Sequence, residues 1–456
     1  MLHLYKLMGR NIAIDAGSGC IHDVDDVAYD ALEAMDASGG SADAEALIGA
    51  LPGKYTGGES VTREDLEELI ADIEALRAEG KMFADDGFGE LAPPDGEGTP
   101  RVVKALCLHV AHTCNLTCDY CFAGQGKYHG AAALMSEETA RRAVDFLIES
   151  SGSRRNLEVD FFGGEPLLNW DVVKKTVLYA REIEGARGKN FRFTLTTNGV
   201  LLDDETTDFC NREISTVVLS LDGRRETHDA RRKTPSGGGS YDLIVPKLLR
   251  FAARRRGEYC IRGTYTSRNR DFTEDILHIA DLGFTELAME PVVSAPGDAL
   301  GLTEADLPEL FRQYELLAAE MARRIKNGNP FNFYHYTLDT ENGPCLRKRI
   351  AGCGSGSEYF AVTPDGELYP CHQLAGERDF AAGDIRSGVR EDFSFPRAAV
   401  NARDGCRACW ARLYCSGGCA ANAYHSTGEL GGVYALGCEL FKKRLECAVW
   451  LKCVAE

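Results

Sequence analysis

At 456 residues with 44% apolar side chains, the chain is long enough for about three ordinary domains and a core that needs no cross-links. Its formal charge is −19, with 6 Lys/Arg against 22 Asp/Glu in residues 1–100, and it has no basic stripe of the kind phosphate binding needs, which argues against a nucleic-acid partner. The opening MLHLYKLMGRNIAIDAG lacks a signal-peptide apolar run and no stretch reaches the length of a membrane span, so a cytoplasmic protein is expected, in a reducing compartment where its 17 cysteines bind metal more often than they pair.

In chain order, LHLYKL, NIAIDA and GCIHDV alternate as short strands broken at Gly9 and Gly17. Helical patterns follow in DVAYDALEAM and in TREDLEELIADIEALRAEGKM, where Leu66, Leu69, Ile70, Ile73 and Leu76 recur at helical spacing up to Gly80. Three strands and two or three helices predict a small winged-helix-like module over residues 1–83, and the Gly-, Pro- and acid-rich stretch 84–100 reads as a linker.

Residues 101–300 then alternate strand and helix patterns, with strands expected at 105–110, 157–162, 191–196, 215–220, 260–266 and 285–291. Six such units predict an α/β fold, a partial (β/α)6 TIM-like barrel. Distinctive residues follow the early strands: the loop HTCNLTCDYCF, then GGEP at 163–166, TNG at 197–199 and LDG at 221–223. These are strand C-terminal ends, where such barrels keep their chemistry. Residues 301–342 hold a long helical pattern that bridges to a segment, 343–456, dense in Cys and Gly and closed by a last helix.

Cys114, Cys118 and Cys121 stand in a CxxxCxxC spacing. A four-iron cluster held by three thiolates leaves one iron open, and a ligand bearing an amine and a carboxylate can chelate it. Zinc is the alternative, but it wants a fourth ligand, which His109 or His112 would supply only with unusual geometry. Downstream the spacing runs Cys345-x7-Cys353-x17-Cys371, then Cys406-x2-Cys409-x5-Cys415-x3-Cys419-x18-Cys438. Two zinc ribbons compete with two interleaved clusters as readings of this field.

The ordered set CxxxCxxC, GGEP, TTNG and SLDG resembles the radical S-adenosylmethionine (SAM) superfamily over residues 105–295. That resemblance implies a [4Fe-4S] cluster on Cys114, Cys118 and Cys121 and SAM bound by Tyr120, Gly163, Gly164, Glu165, Thr197, Asn198, Ser220, Asp222 and Arg232. Within it, Glu165 is expected to meet the methionyl amine, Ser220 and Asp222 the ribose, Tyr120 the adenine, and Arg232 of the HDxxR pattern the SAM carboxylate. Thr196 is expected to line the same mouth. The downstream field resembles the SPASM extension of radical SAM peptide modifiers. It implies auxiliary cluster I on Cys353, Cys371 and Cys419, with Cys345 as a candidate fourth ligand, and auxiliary cluster II on Cys406, Cys409, Cys415 and Cys438, three [4Fe-4S] clusters in all.

The first module looks like a leader-recognition domain that receives a peptide as an added β-strand. With GPC at 343–345, GCGSGSEY at 352–359 and YPCHQ at 369–373, the chain resembles the maturases of SCIFF (six-cysteines-in-forty-five) peptides, which form thioethers. The implied partners are a Cys-rich precursor peptide and a low-potential electron donor such as ferredoxin or flavodoxin. Sulfatase-type formylglycine formation is the enzymatic alternative, with His372 as candidate base where that family commonly has a carboxylate. A non-catalytic metal-binding scaffold that captures peptides is the other.

Overall fold

The structure is a computed structural model that describes residues 1–41, 43–51, 61–87, 101–338, 346–395 and 400–455. The chain opens with an antiparallel sheet of β1 (Leu2–Leu7), β2 (Arg10–Asp15) and β3 (Ile21–Val24), covered by α1 (Asp26–Ala37), α2 (Ala44–Ala50) and α3 (Arg63–Ala78). Thr62 and Asp65 close a reciprocal capping box that starts α3, which is why the helix begins where the polar run ends.

The second sheet carries the six expected strands, β4 (Ala105–His112), β6 (Asn156–Gly163), β7 (Asn190–Thr197), β8 (Thr216–Ser220), β9 (Glu258–Tyr265) and β10 (Glu286–Pro291), side by side and parallel in that order. A short β5 (Ala133–Leu134) hooks onto the end of β4. The crossovers are α4 (Glu137–Ser150), α5 (Trp170–Glu184), α6 (Asp204–Glu213), α7 (Arg225–Arg231) with α8 (Tyr241–Arg254), and α9 (Phe272–Asp281). Side chains on a strand alternate faces. Val159, Phe161, Phe193, Leu195, Val217, Leu219, Ile261 and Leu287 therefore join the helix-side core, while Asp160, Thr194, Ser220, Arg262 and Glu290 take the opposite, more polar face.

The central sheet takes in strands from beyond residue 300. After α10 (Leu307–Lys326), β11 (Asn332–Phe333) pairs in parallel with β10, so the bridging region contributes a strand. Beyond α11 (Leu346–Ala351), β12 (Tyr359–Val362) pairs in parallel with β4 on the other flank. From there β13 (Glu367–Tyr369), β14 (Gly383–Asp384) and β15 (Gly388–Val389) continue the same sheet antiparallel. The cysteine-rich extension is thus built onto the central sheet, with α12 (Asp404–Arg407), α13 (Arg412–Cys415), α14 (Ala420–Thr427) and α15 (Ala435–Ala455) following; α15 lies along α10. Among the described residues, no helix is long and apolar enough to cross a membrane.

The first module packs against the last helix. Most of the expected linker, residues 88–100, lies outside the described residues. One face of β1 and β2, Tyr5, Leu7, Ile12 and Ile14, packs into the large core shared with α15. His3 stacks on Trp410 with ring centres 3.7 Å apart and meets Glu446 at 3.0 Å, while the Tyr414 hydroxyl donates to the Gly19 carbonyl at 3.0 Å. Deleting residues 1–87 will therefore uncover apolar surface on α15. The truncated protein is expected to bind a hydrophobic dye and to melt several degrees lower, and an unchanged melting profile would show that the docking contributes nothing.

Candidate active site

The loop after β4 places Cys114, Cys118 and Cys121 within electrostatic reach of one another. Burial pushes the Cys114 thiol up to about 12 and the Cys118 thiol to about 11. The loop is held main chain to main chain by GGEP: the Gly164 N–H donates to Ala111 O at 2.7 Å and the Glu165 N–H to Thr113 O at 3.0 Å. A Cβ on Gly164 would stand 2.1 Å from Thr113 O, and Gly163, at φ +125°, would bring one within 2.4 Å of Ala111 O. Only glycine permits that approach.

Glu165 is fully buried, and its carboxylate is committed internally, where a free acceptor is expected from the sequence. Oε1 accepts from the Leu167 N–H at 3.0 Å and the Thr197 hydroxyl at 2.7 Å, and Oε2 accepts from the Asn198 N–H at 2.8 Å. Burial raises its pKa and these three donors pull the other way. Asn198 in turn donates to Asn115 Oδ1 at 2.7 Å and points at the Cys114 sulfur at 3.7 Å. Glu165 thus ties two strand ends to the thiol loop. Glu165→Gln keeps the shape but aims an N–H₂ at a donor, and an expected cost of about 1–3 kcal/mol in chemical denaturation checks the assignment.

A second departure concerns Asp222 and Arg232. Asp222 is fully buried; it accepts from Arg232 Nε at 2.9 Å, Arg232 Nη2 at 3.0 Å, the Tyr120 hydroxyl at 2.5 Å and the Thr264 N–H at 3.0 Å. Burial works against its charge, but the Arg232 guanidinium more than offsets this and holds the carboxyl below its ordinary range. Arg232 also lies 5.5 Å from the Tyr120 ring centre. The residues expected to meet the ribose, the adenine and the SAM carboxylate are therefore bound to one another. The rest of HDxxR explains how: His228 Nδ1 accepts from the Asp222 N–H at 3.3 Å and its Nε2 meets Ser240 Oγ at 2.9 Å, while Ser240 donates to Arg232 O at 2.7 Å. Ser220 ends β8 half-buried, in register with Arg262 of β9.

The structure brings the second cysteine field together in two sets. Cys371 and Cys419 each feel Cys353, and Cys419 also feels Glu290 at the end of β10. Cys415 feels Cys438 and Cys406, and Cys438 feels Cys406 and Cys409, around a cavity of about 550 Å³. Cys345 lies outside the described residues. His372 joins the first loop to the first of these sets: its ring lies 6.0 Å from Phe122, which follows Cys121, and 5.1 Å from Phe162, and the Tyr359 hydroxyl meets its Nδ1 at 3.1 Å. Burial, then the nearby Arg262 charge, lowers the His372 pKa to about 4, so its ring is neutral at pH 7.

The donor sets suit iron–sulfur ligation. Ten thiols in three groups are soft ligands, and burial pushes up those of Cys114, Cys118, Cys371, Cys415, Cys419 and Cys438, a cost that cations would relieve. Beside the first loop, Asn115 Nδ2 and His109 Nε2 are buried with no hydrogen-bond partner among the described residues. Among those residues no group of three Cys, His, Asp or Glu side chains is arranged to hold a single metal ion.

The sequence model of the radical SAM superfamily matches residues 108–248. The radical SAM cyclopropyl synthase TigE of Paramaledivibacter caminithermalis is 21% identical over 374 residues, 75% of this chain and 73% of TigE. The solved structure of anSMEcpe with bound AdoMet and Cp18Cys peptide aligns with a TM-score of 0.63 at 21% identity, over 77% of this chain and 98% of its own. That of Streptococcus suis SuiB bound to precursor peptide SuiA aligns at 0.52 and 15% identity, over 93% of this chain and 95% of its own. The three-thiol loop, GGEP, TNG and LDG, gathered at the ends of adjacent parallel strands, all lie within the segment that matches the radical SAM superfamily model.

Proposed function

We propose that the protein is a radical SAM maturase that forms thioether cross-links, Cys sulfur to carbon, in a ribosomally made Cys-rich peptide. The observation that carries this reading is the approach of two thiol sets, with His372 and Phe122 joining the Cys114–Cys121 loop to Cys371. The ligand assignments are Cys114, Cys118 and Cys121 for the SAM cluster; Cys353, Cys371 and Cys419 for auxiliary cluster I; and Cys406, Cys409, Cys415 and Cys438 for auxiliary cluster II. When bound, the reduced SAM cluster with SAM on its open iron supplies a 5′-deoxyadenosyl radical.

The protein's own part is to position and shield. Gly163 and Gly164 let the backbone close on the methionyl end, and Asn198 and Asn115 offer amide groups beside Cys114. Arg232, braced by Asp222, presents positive charge next to Cys118. Closing a C–S bond after hydrogen abstraction releases a thiol proton and one electron; an auxiliary cluster held by Cys353, Cys371 and Cys419 would accept that electron and would lower the pKa of a thiol held beside it. That peptides are the substrate class is supported by the likeness to anSMEcpe and SuiB, both solved with peptides. The first module is assigned to leader recognition by strand addition.

Anaerobic reconstitution, reduction and addition of SAM will yield 5′-deoxyadenosine. Coexpression with the short Cys-rich peptide encoded nearest the gene will yield a product lacking two hydrogens and one alkylatable thiol per cross-link. A sulfatase-type reaction would instead give an aldehyde trapped by hydrazide reagents, and that result would replace the thioether reading. A peptide-capture scaffold would form no 5′-deoxyadenosine at all.

A further inference from the structure

Strand alternation gives the polar face of the central sheet a definite set of charges. On β9, Glu258, Cys260 and Arg262 share that face, and on β10 Glu286, Ala288 and Glu290 share it beside them, with Arg262 in register with Ala288. Together they line a cavity of about 780 Å³ in front of β8 to β11, a volume in the range of ordinary ligand sites.

The charged side chains of this lining are unequally provided for. Glu258 accepts from the Thr216 hydroxyl at 2.7 Å and pairs with Arg192, and Glu286 accepts from Asn332 Nδ2 at 2.8 Å. Glu290 lies 3.5 Å from Arg444 Nη1 and 3.4 Å from His335 Nε2. Arg262 is exposed to the cavity, and its guanidinium makes no hydrogen bond or ion pair among the described residues. Glu290 and His372 are near enough to feel its charge, but neither closes a contact with it. Glu258 and Glu286 begin their strands, whereas Arg262 stands further along β9, toward His372 and the thiol set of Cys353, Cys371 and Cys419.

We propose that Arg262 anchors the substrate peptide by a carboxylate, so that the segment being modified carries an acidic group at a fixed distance from the residue that reacts. The proposal rests on the peptide-modifying reading above. A guanidinium presents a planar fork of N–H groups that matches a carboxylate, and here the neighbouring acids have taken other partners, which leaves the fork free for a ligand. Arg192 and Arg444 offset Glu258 and Glu290, so an entering anion meets a net cation at Arg262. Binding at a group that does not react fixes the position of the one that does.

The test uses anaerobically reconstituted full-length enzyme and synthetic versions of the short Cys-rich peptide encoded nearest the gene: the natural sequence, single Asp-to-Asn and Glu-to-Gln replacements, and the C-terminal amide. With wild type, one of these changes is expected to raise KM about tenfold or more. A side-chain replacement that does so identifies a side-chain carboxylate, and the amide identifies the chain terminus. R262Q should raise KM for the natural peptide about as much and no longer distinguish the two peptides, while R262K, which keeps the charge but not the fork, should fall between. Since Arg262 has no internal partner, both variants should melt with wild type, a readout that a structural role would move; if R262Q fails to fold, R262K decides. Equal turnover of every peptide by wild type, or an R262Q enzyme that still ranks them as wild type does, overturns the anchor. So does a matching loss of SAM affinity in both variants, which would make Arg262 a SAM contact. Absence of peptide-free 5′-deoxyadenosine formation in wild type overturns the functional reading instead.

Discussion

Replacing Cys114, Cys118 and Cys121 together by alanine will reduce 5′-deoxyadenosine formation to background while about two thirds of the iron remains, a fall from about twelve to about eight atoms per chain. The three thiols belong to one loop at the end of β4 and feel one another, whereas the seven downstream thiols gather in two other places. Loss of one set should therefore leave the others loaded. Iron analysis and product chromatography on the same anaerobic preparation read both quantities. A triple variant that still forms 5′-deoxyadenosine would relocate the reactive cluster, and one that loses nearly all its iron would show that the three sites do not assemble independently.

The largest loss of stability is expected at Asp222. Asp222→Ala removes the carboxylate partner of Arg232, whose side chain is 11% exposed, and leaves a guanidinium charge buried beside Tyr120. Breaking one side of such a pair costs about 3–5 kcal/mol, whereas removing both partners costs less because no orphaned charge remains. Asp222→Ala combined with Arg232→Met should thus recover much of the loss in a chemical-denaturation series at neutral pH. The pH dependence has a definite sign: with the carboxyl held below its ordinary range in the fold, its contribution is complete above about pH 3.9 and disappears as pH falls through the depressed value. A cost below about 1 kcal/mol for Asp222→Ala would mean that the pair is not what holds Arg232.

The six central strands were legible in the sequence because each is a short local pattern, an alternation that buries one face in LEVDFF and FRFTLT and a near-continuous apolar run in ALCLHV. The cysteine loop and the glycine pair after β6 were legible for a related reason. Ligand spacing and a close backbone approach are properties of a few consecutive residues, and strand ends are where a parallel sheet exposes them.

Only the tertiary structure decided the rest. Strands β11 and β13 to β15 have two or three residues each, too few to show any period, and they exist because a neighbouring strand offers them partners. That Asp222, Arg232 and Tyr120 answer to one another cannot be read from their spacing, since pairing depends on which strand end each loop returns to, and burial then makes an internal partner obligatory for every charge it encloses. The docking of the first module is more remote still: His3 meets Trp410 and Glu446 across most of the chain length. Local patterns specify elements that bury their own faces. Contacts between elements distant in sequence are chosen by what the assembled sheet leaves uncovered, and no window of consecutive residues contains that surface.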